Sequence, residues 1–141
     1  MRPMLMFLIL AIGLAALALA AAVWVRVAPS DPAVWHVDPV TAPDPTTPNF
    51  ARVERLVALP PAEVAARIEA VARTEGAVRL AGDPMFTTWI ARTARMRFPD
   101  YVSIRLTPEG EGTRLVALSR SRFGRGDQGV NRARLGRWLP M

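Results

Sequence analysis

The chain contains no cysteine. Disulfides, thiolate nucleophiles and cysteine-ligated metals are therefore excluded, although this lack does not choose between compartments. Lysine is absent too: all 18 basic residues are arginine. So complete a bias points to codon preference rather than selection for guanidinium chemistry. The arginine count is thus no argument for nucleic-acid binding, and no nucleic-acid partner is expected. The single histidine, His36, lies in a proline-rich stretch without a second ligand or catalytic partner near it. It is expected to be exposed. No HExxH pattern, paired-carboxylate pattern or glycine-rich phosphate loop occurs. A serine, arginine and aspartate set would lack a base near neutral pH, because carboxylates titrate near about 4 and arginine does not titrate usefully. No cofactor or metal is expected.

What is present begins with a long apolar run. Met4 to Val25 is 22 residues without a charge. As a helix it is about 33 Å long, against a hydrocarbon core of about 30 Å. Arg2 and Arg26 flank it, and Trp24 sits where an indole favours the interface. The rival reading is a cleaved secretory signal, with Ala18, Ala20 and Ala22 as small residues near a cleavage site. The run exceeds the usual apolar core of such signals, so a retained anchor is favoured. Arginines nearly tie on the two sides. A short leader commonly sends the following chain across, so the expectation is a single-pass protein of the bacterial inner membrane with a periplasmic domain.

The 141 residues leave room for one ordinary domain beyond that anchor. Pro29 to Pro48 holds six of the 13 prolines. Proline fixes φ and removes a donor, so regular helix and central strand are not expected there. The stretch reads as a linker of about 60 Å if extended, or, given Trp35 and Val37, as a segment lying along the domain.

Pro60 and Pro61 announce a helix, with Val64, Ile68 and Val71 as its apolar stripe and Gly76 past its end. Glu63–Arg67 and Glu69–Arg73 are i,i+4 pairs in the favoured order. Strands follow: Ala77 to Leu80, then Phe86 towards Phe98, then a half-buried strand through Val102, Ile104 and Leu106. Thr113 to Arg122 is the next, after a Pro108–Gly112 hairpin loop. Asp127 opens a last helix to about Trp138. The fold class is α+β: a small two-layer domain, with an antiparallel sheet of three or four strands covered by two helices. The division is 1–26 anchor, 27–50 linker and 51–141 domain.

Charge is uneven. Residues 27–84 carry 5 arginines against 8 acids, whereas residues 85–141 carry 11 against 4. The basic half either faces anionic headgroups or an anionic ligand, or is simply a solvated surface.

The segment Ser119-Arg120-Ser121-Arg122-Phe123-Gly124-Arg125-Gly126-Asp127-Gln128-Gly129-Val130-Asn131-Arg132-Ala133-Arg134 carries the most specific pattern. It resembles the S-x-S-R-x-G-x-x-D-x-G-x-N-R-x-R signature of the bacterial and plastid family called domain of unknown function 1499. Pro48-Asn49 resembles that family's S-P-N-C segment, with Thr47 in place of serine and Phe50 in place of cysteine. Asp100 and Val102 resemble its D-x-V turn. The resemblance runs from about Thr47 to Trp138 and implies a shared fold without an assigned activity.

Physically, the motif is a strand entering a helix. Gly124 and Gly129 serve the turn, and Asp127 is placed to accept bonds from free N–H groups. Asn131 and Arg134 fall on the same helical face as Asp127, while Ser119 and Ser121 share a strand face and Arg122 points the other way. Two readings follow for Ser119, Ser121, Arg122, Asp127, Asn131, Arg132 and Arg134. In the first, Asp127, Asn131 and Arg122 bond one another and pin helix to sheet. In the second, the helix N-terminus and its arginines hold an anion; Asp127 argues against this by competing for the same donors. At the level of function, the leading expectation is a binding or accessory module for an anionic small molecule, lipid headgroup or protein partner. A hydrolase-like enzyme using Asp127 or Asp100 with serine in the C-terminal cluster and a structural subunit of a membrane complex are the alternatives.

Overall fold

Pro61 occupies the first turn of a helix because its missing N–H costs nothing there. The helix ends where Gly76 takes φ 75°, a conformation open to glycine. Between them Val64, Ile68 and Ala72 are buried, and Glu63–Arg67 and Glu69–Arg73 pair on the outer face at 2.7 Å. In the computed structural model, which describes residues 2–141, this helix is α3 (Pro61–Thr74). Before it come α1 (Arg2–Val27), α2 (Pro32–Trp35) and β1 (Phe50–Val57). After it come β2 (Val78–Asp83), β3 (Phe86–Arg92), β4 (Pro99–Glu109), β5 (Gly112–Ser121) and α4 (Val130–Trp138). Of these, α1 is long and apolar enough to cross a membrane.

The sheet has five antiparallel strands in the order β1-β5-β4-β3-β2. Three or four were expected; β1 is the addition. It runs along β5 from Phe50↔Arg120 to Val57↔Thr113. Its alternation is masked because Arg55 interrupts the face towards the helices, while Leu56 stands 65% exposed on the other. Residues 50–57 therefore show no clean apolar period.

One face of the sheet packs on α3 and α4. Trp89, Val102, Ile104, Leu106, Leu115 and Ala117 supply its core, closed by Val64, Ile68, Leu135 and Trp138 from the helices.

The second face is covered as well, by the proline-rich stretch. Ser30 Oγ lies 2.7 Å from Tyr101 Oη, and Trp35 stacks on Tyr101 with centroids 4.0 Å apart. Asp38 pairs with Arg105, and Arg52 bonds the carbonyls of Pro39 and Ala42 and the carboxylate of Asp44. The stretch is thus a strap over the sheet, the arrangement that Trp35 and Val37 hinted at, and not an extended linker. It also contains the single helical turn α2, contrary to expectation. Pro32 sits within the first turn, and Asp31 Oδ1 accepts from Ala33 N at 2.9 Å, so proline starts this turn instead of breaking it.

Two further expectations change with the strap. β4 is buried on both sides from Pro99 to Ile104, not half-buried. His36 is not free in solvent: it stacks on Phe86 at 3.9 Å and its Nδ1 lies 2.8 Å from Thr88 Oγ1.

Candidate functional site

The turn from β5 into α4 requires left-handed backbone at Gly124 (φ 87°) and Gly129 (φ 80°), and Gln128 also adopts φ 50°. Asp127 folds back within this turn. Its Oδ1 accepts from Gly129 N at 3.0 Å, and its Oδ2 accepts from Asn131 N at 3.0 Å and Asn131 Nδ2 at 2.7 Å. The carboxylate thereby occupies the donors that a helix N-terminus would offer an anion. Burial pushes the Asp127 carboxyl up, but the amides of Asn131 and Gly129 together hold it below the usual aspartate range.

Asn131 is the hub. Its side-chain N–H2 also reaches Ser121 Oγ at 2.9 Å and the Asn49 carbonyl at 3.0 Å. Its Oδ1 accepts from Ser119 Oγ at 2.5 Å and Arg134 Nη1 at 3.1 Å. Two amide hydrogens face three acceptors, so the group is fully used. Arg134 completes the cluster by donating from Nη2 to Asp100 Oδ2 at 2.8 Å, with both side chains almost wholly buried. Burial pushes the Asp100 carboxyl above the usual aspartate range, against the opposing pull of Arg134.

Asn49 extends the network to the start of β1. It donates to the Gly124 carbonyl at 2.8 Å and accepts from Thr47 Oγ1 at 2.5 Å.

A family model described as a protein of unknown function (DUF1499) matches residues 28–140. The chain belongs to that family. The match begins at the strap, so the DUF1499 domain includes the segment over the second sheet face and leaves α1 outside. The search of curated proteins gives no match.

Within this DUF1499 domain the seven polar residues singled out from sequence divide. Ser119, Ser121, Asp127, Asn131 and Arg134 meet in one cluster between sheet and α4. Arg122 does not join it. Alternation along β5 turns its side chain to the opposite face, where it donates to the Pro29 carbonyl at 2.8 Å. Arg132 is exposed on α4. The interaction assigned to Arg122 in the expected lock is made by Arg134.

Sequence reasoning did not place Asp100, Asn49 and Thr47 in the cluster. Their signal was nonetheless visible: they stand in the two weaker family-like segments, Pro48-Asn49 and Asp100-x-Val102. Three segments distant in sequence thus converge on one point. The cluster residues line neither of two depressions on the surface of the domain. One, of about 320 Å³, lies along Pro39, Arg52 and Arg114. Another, of about 370 Å³, lies along Arg67, Val71 and Trp138.

Proposed function

We propose that the chain is a membrane-anchored, non-catalytic binding or accessory module for an anionic partner. The observation that carries this reading is the internal use of the motif: Asp127 and Arg134 spend their charges on Asn131, Gly129 and Asp100. A catalytic site needs its nucleophile and base within reach of substrate. Here the serines and carboxylates are turned into the joint between α4 and the sheet. The charged residues of the motif left exposed are Arg125 and Arg132. The length and apolar character of α1 support retention as an anchor, and the proposal puts the domain outside the cytoplasm.

Two measurements test this. A reporter active only outside the cytoplasm, fused after Met141, should be active; activity of a cytoplasmic reporter instead would reverse the orientation. Full-length protein assayed against a panel of ester, phosphoester and amide substrates should show no turnover that depends on Asp127. Turnover lost in Asp127→Asn, with an unchanged melting temperature, would establish the hydrolase-like alternative.

A further inference from the structure

We propose that the end of the sheet from which α1 departs is a docking surface for the headgroups of anionic phospholipids. The proposal rests on the anchor reading above and names the anionic partner.

Ala28 is buried, the Pro29 carbonyl accepts from Arg122, and Ser30 bonds Tyr101. The chain leaving α1 is therefore held against the start of β4 and the end of β5. The β3–β4 turn leaves the sheet at this same end, directly after the Arg92↔Pro99 pair. Phe98 in that turn lies 6.3 Å from Phe123 in the β5–α4 turn, which brings the two loops together. Only residues 28–30 separate α1 from the domain. Three residues reach about 10 Å at full extension, comparable to the Debye length of about 8 Å at physiological salt. The rim is thus held within electrostatic range of a membrane crossed by α1.

Its composition suits that neighbour. Arg92 at the end of β3 and Arg95, Arg97 and Arg125 in the two loops lie here, and among the described residues none of these four makes an ion pair. Of the acids at this end, Asp100 pairs with Arg134 and Asp127 is bonded to Gly129 and Asn131. Asp31, next to Ser30, is exposed and accepts only from Ala33 N, so the four arginines outnumber one free carboxylate. Met96, 48% exposed, stands between two arginines and presents an apolar tip to the interfacial zone. The opposite end of the sheet has the reverse character, with Glu109 and Glu111 at the β4–β5 turn and Asp83 beside the β2–β3 turn. The domain is therefore basic towards α1 and acidic away from it. Each arginine near an anionic surface shifts occupancy by about fivefold, and the tether makes such weak contacts effective.

The lack of cysteine makes the test clean, because a single introduced cysteine carries the only label. Full-length Met96→Cys, Glu111→Cys and Leu14→Cys would be spin-labelled and reconstituted into vesicles of phosphatidylcholine alone or mixed with phosphatidylglycerol. Membrane depth would be read from collisions with oxygen and a nickel chelate. The Met96 label should sit at headgroup depth in the anionic vesicles and move into water in neutral ones, or in about 1 M salt, where the Debye length is about 3 Å. Arg95→Gln with Arg97→Gln should lower the equilibrium constant for contact about 25-fold, at roughly fivefold per arginine. The Glu111 label should stay aqueous throughout. A Met96 label that is aqueous in anionic vesicles, or equally deep in both lipids, overturns the docking surface while leaving the anchor intact. A Leu14 label outside the hydrocarbon overturns the anchor and the surface together.

Discussion

Arg134 on α4 meets Asp100 at the start of β4 at 2.8 Å, with side-chain exposures of 4% and 1%. A pair this deep is a poor source of net stability but is costly to break on one side, by about 3–5 kcal/mol. Its two halves should not behave alike. Arg134→Met leaves a carboxyl whose burial already favours the protonated form, so the loss can be relieved by taking up a proton. Asp100→Asn leaves a guanidinium that cannot be neutralised. Urea unfolding at neutral pH should show the larger loss for Asp100→Asn, and the loss for Arg134→Met should shrink on acidification. Equal, pH-independent losses would contradict this account of the pair.

The strap should be an integral part of the folded domain. Trp35 stacks on Tyr101 and lies under Arg120 and Arg122, whose guanidinium carbons are 4.8 and 5.7 Å from its ring centre. Being half-buried, it should cost less than a fully buried tryptophan, about 1–3 kcal/mol for Trp35→Ala against about 3–5. Thermal unfolding of the full chain checks this. An unchanged melting temperature would mean that the strap contributes no stability.

His36 makes strap attachment pH-dependent. Burial and the neighbouring Arg105 hold its pKa below 6.5, outweighing Asp83 and Asp38, which act to raise it. A lowered folded-state pKa means that the unfolded chain binds the proton first. Stability from this group is therefore complete above pH 6.5 and is lost as pH falls through the lower folded value. Asp100, with its raised pKa, contributes in the opposite sense, its folded state taking up the proton first. The difference in stability between wild type and His36→Gln isolates the histidine. The wild-type advantage should decline as pH falls below 6.5, and a flat difference curve would remove His36 from the account.

Much of this architecture was legible from local rules. The Pro60-Pro61 start, the Val64–Ile68 stripe and Gly76 define α3 before any contact is known. The period-two runs around Val102 and after Thr113 define β4 and β5. What escaped depended on partners far away in sequence. β1 has Arg55 on one face and Leu56 on the other, so only pairing with β5 makes it a strand. The strap looked like a linker because its cover for Tyr101 and Thr88 comes from residues some 50 to 70 positions upstream, as in Trp35–Tyr101 and His36–Thr88. For the polar cluster, spacing placed Asp127, Asn131 and Arg134 on one helical face. It did not show that Asn49 and Asp100 would meet them, because that requires the sheet register. Alternation already set Arg122 opposite Ser119 and Ser121; it did not say that α4 lies on the serine face, which excludes Arg122 from the cluster.

The central claim is that the motif joins α4 to the sheet and is not a ligand site. Asp127→Ala tests it most directly, with melting temperature and inorganic phosphate binding measured on the same full-length protein. Asp127 accepts from the free amides of Gly129 and Asn131 as a helix-capping side chain does, so its loss costs about 0.5–2 kcal/mol, while the Asn131 side-chain amide keeps Ser121 Oγ and the Asn49 carbonyl. The account predicts a clear fall in melting temperature for Asp127→Ala, little change for Arg125→Ala, whose exposed side chain bonds none of the described residues, and no gain in phosphate affinity. An unchanged melting temperature with tighter phosphate binding would contradict it, because Asp127 would then be guarding an anion site at the start of α4.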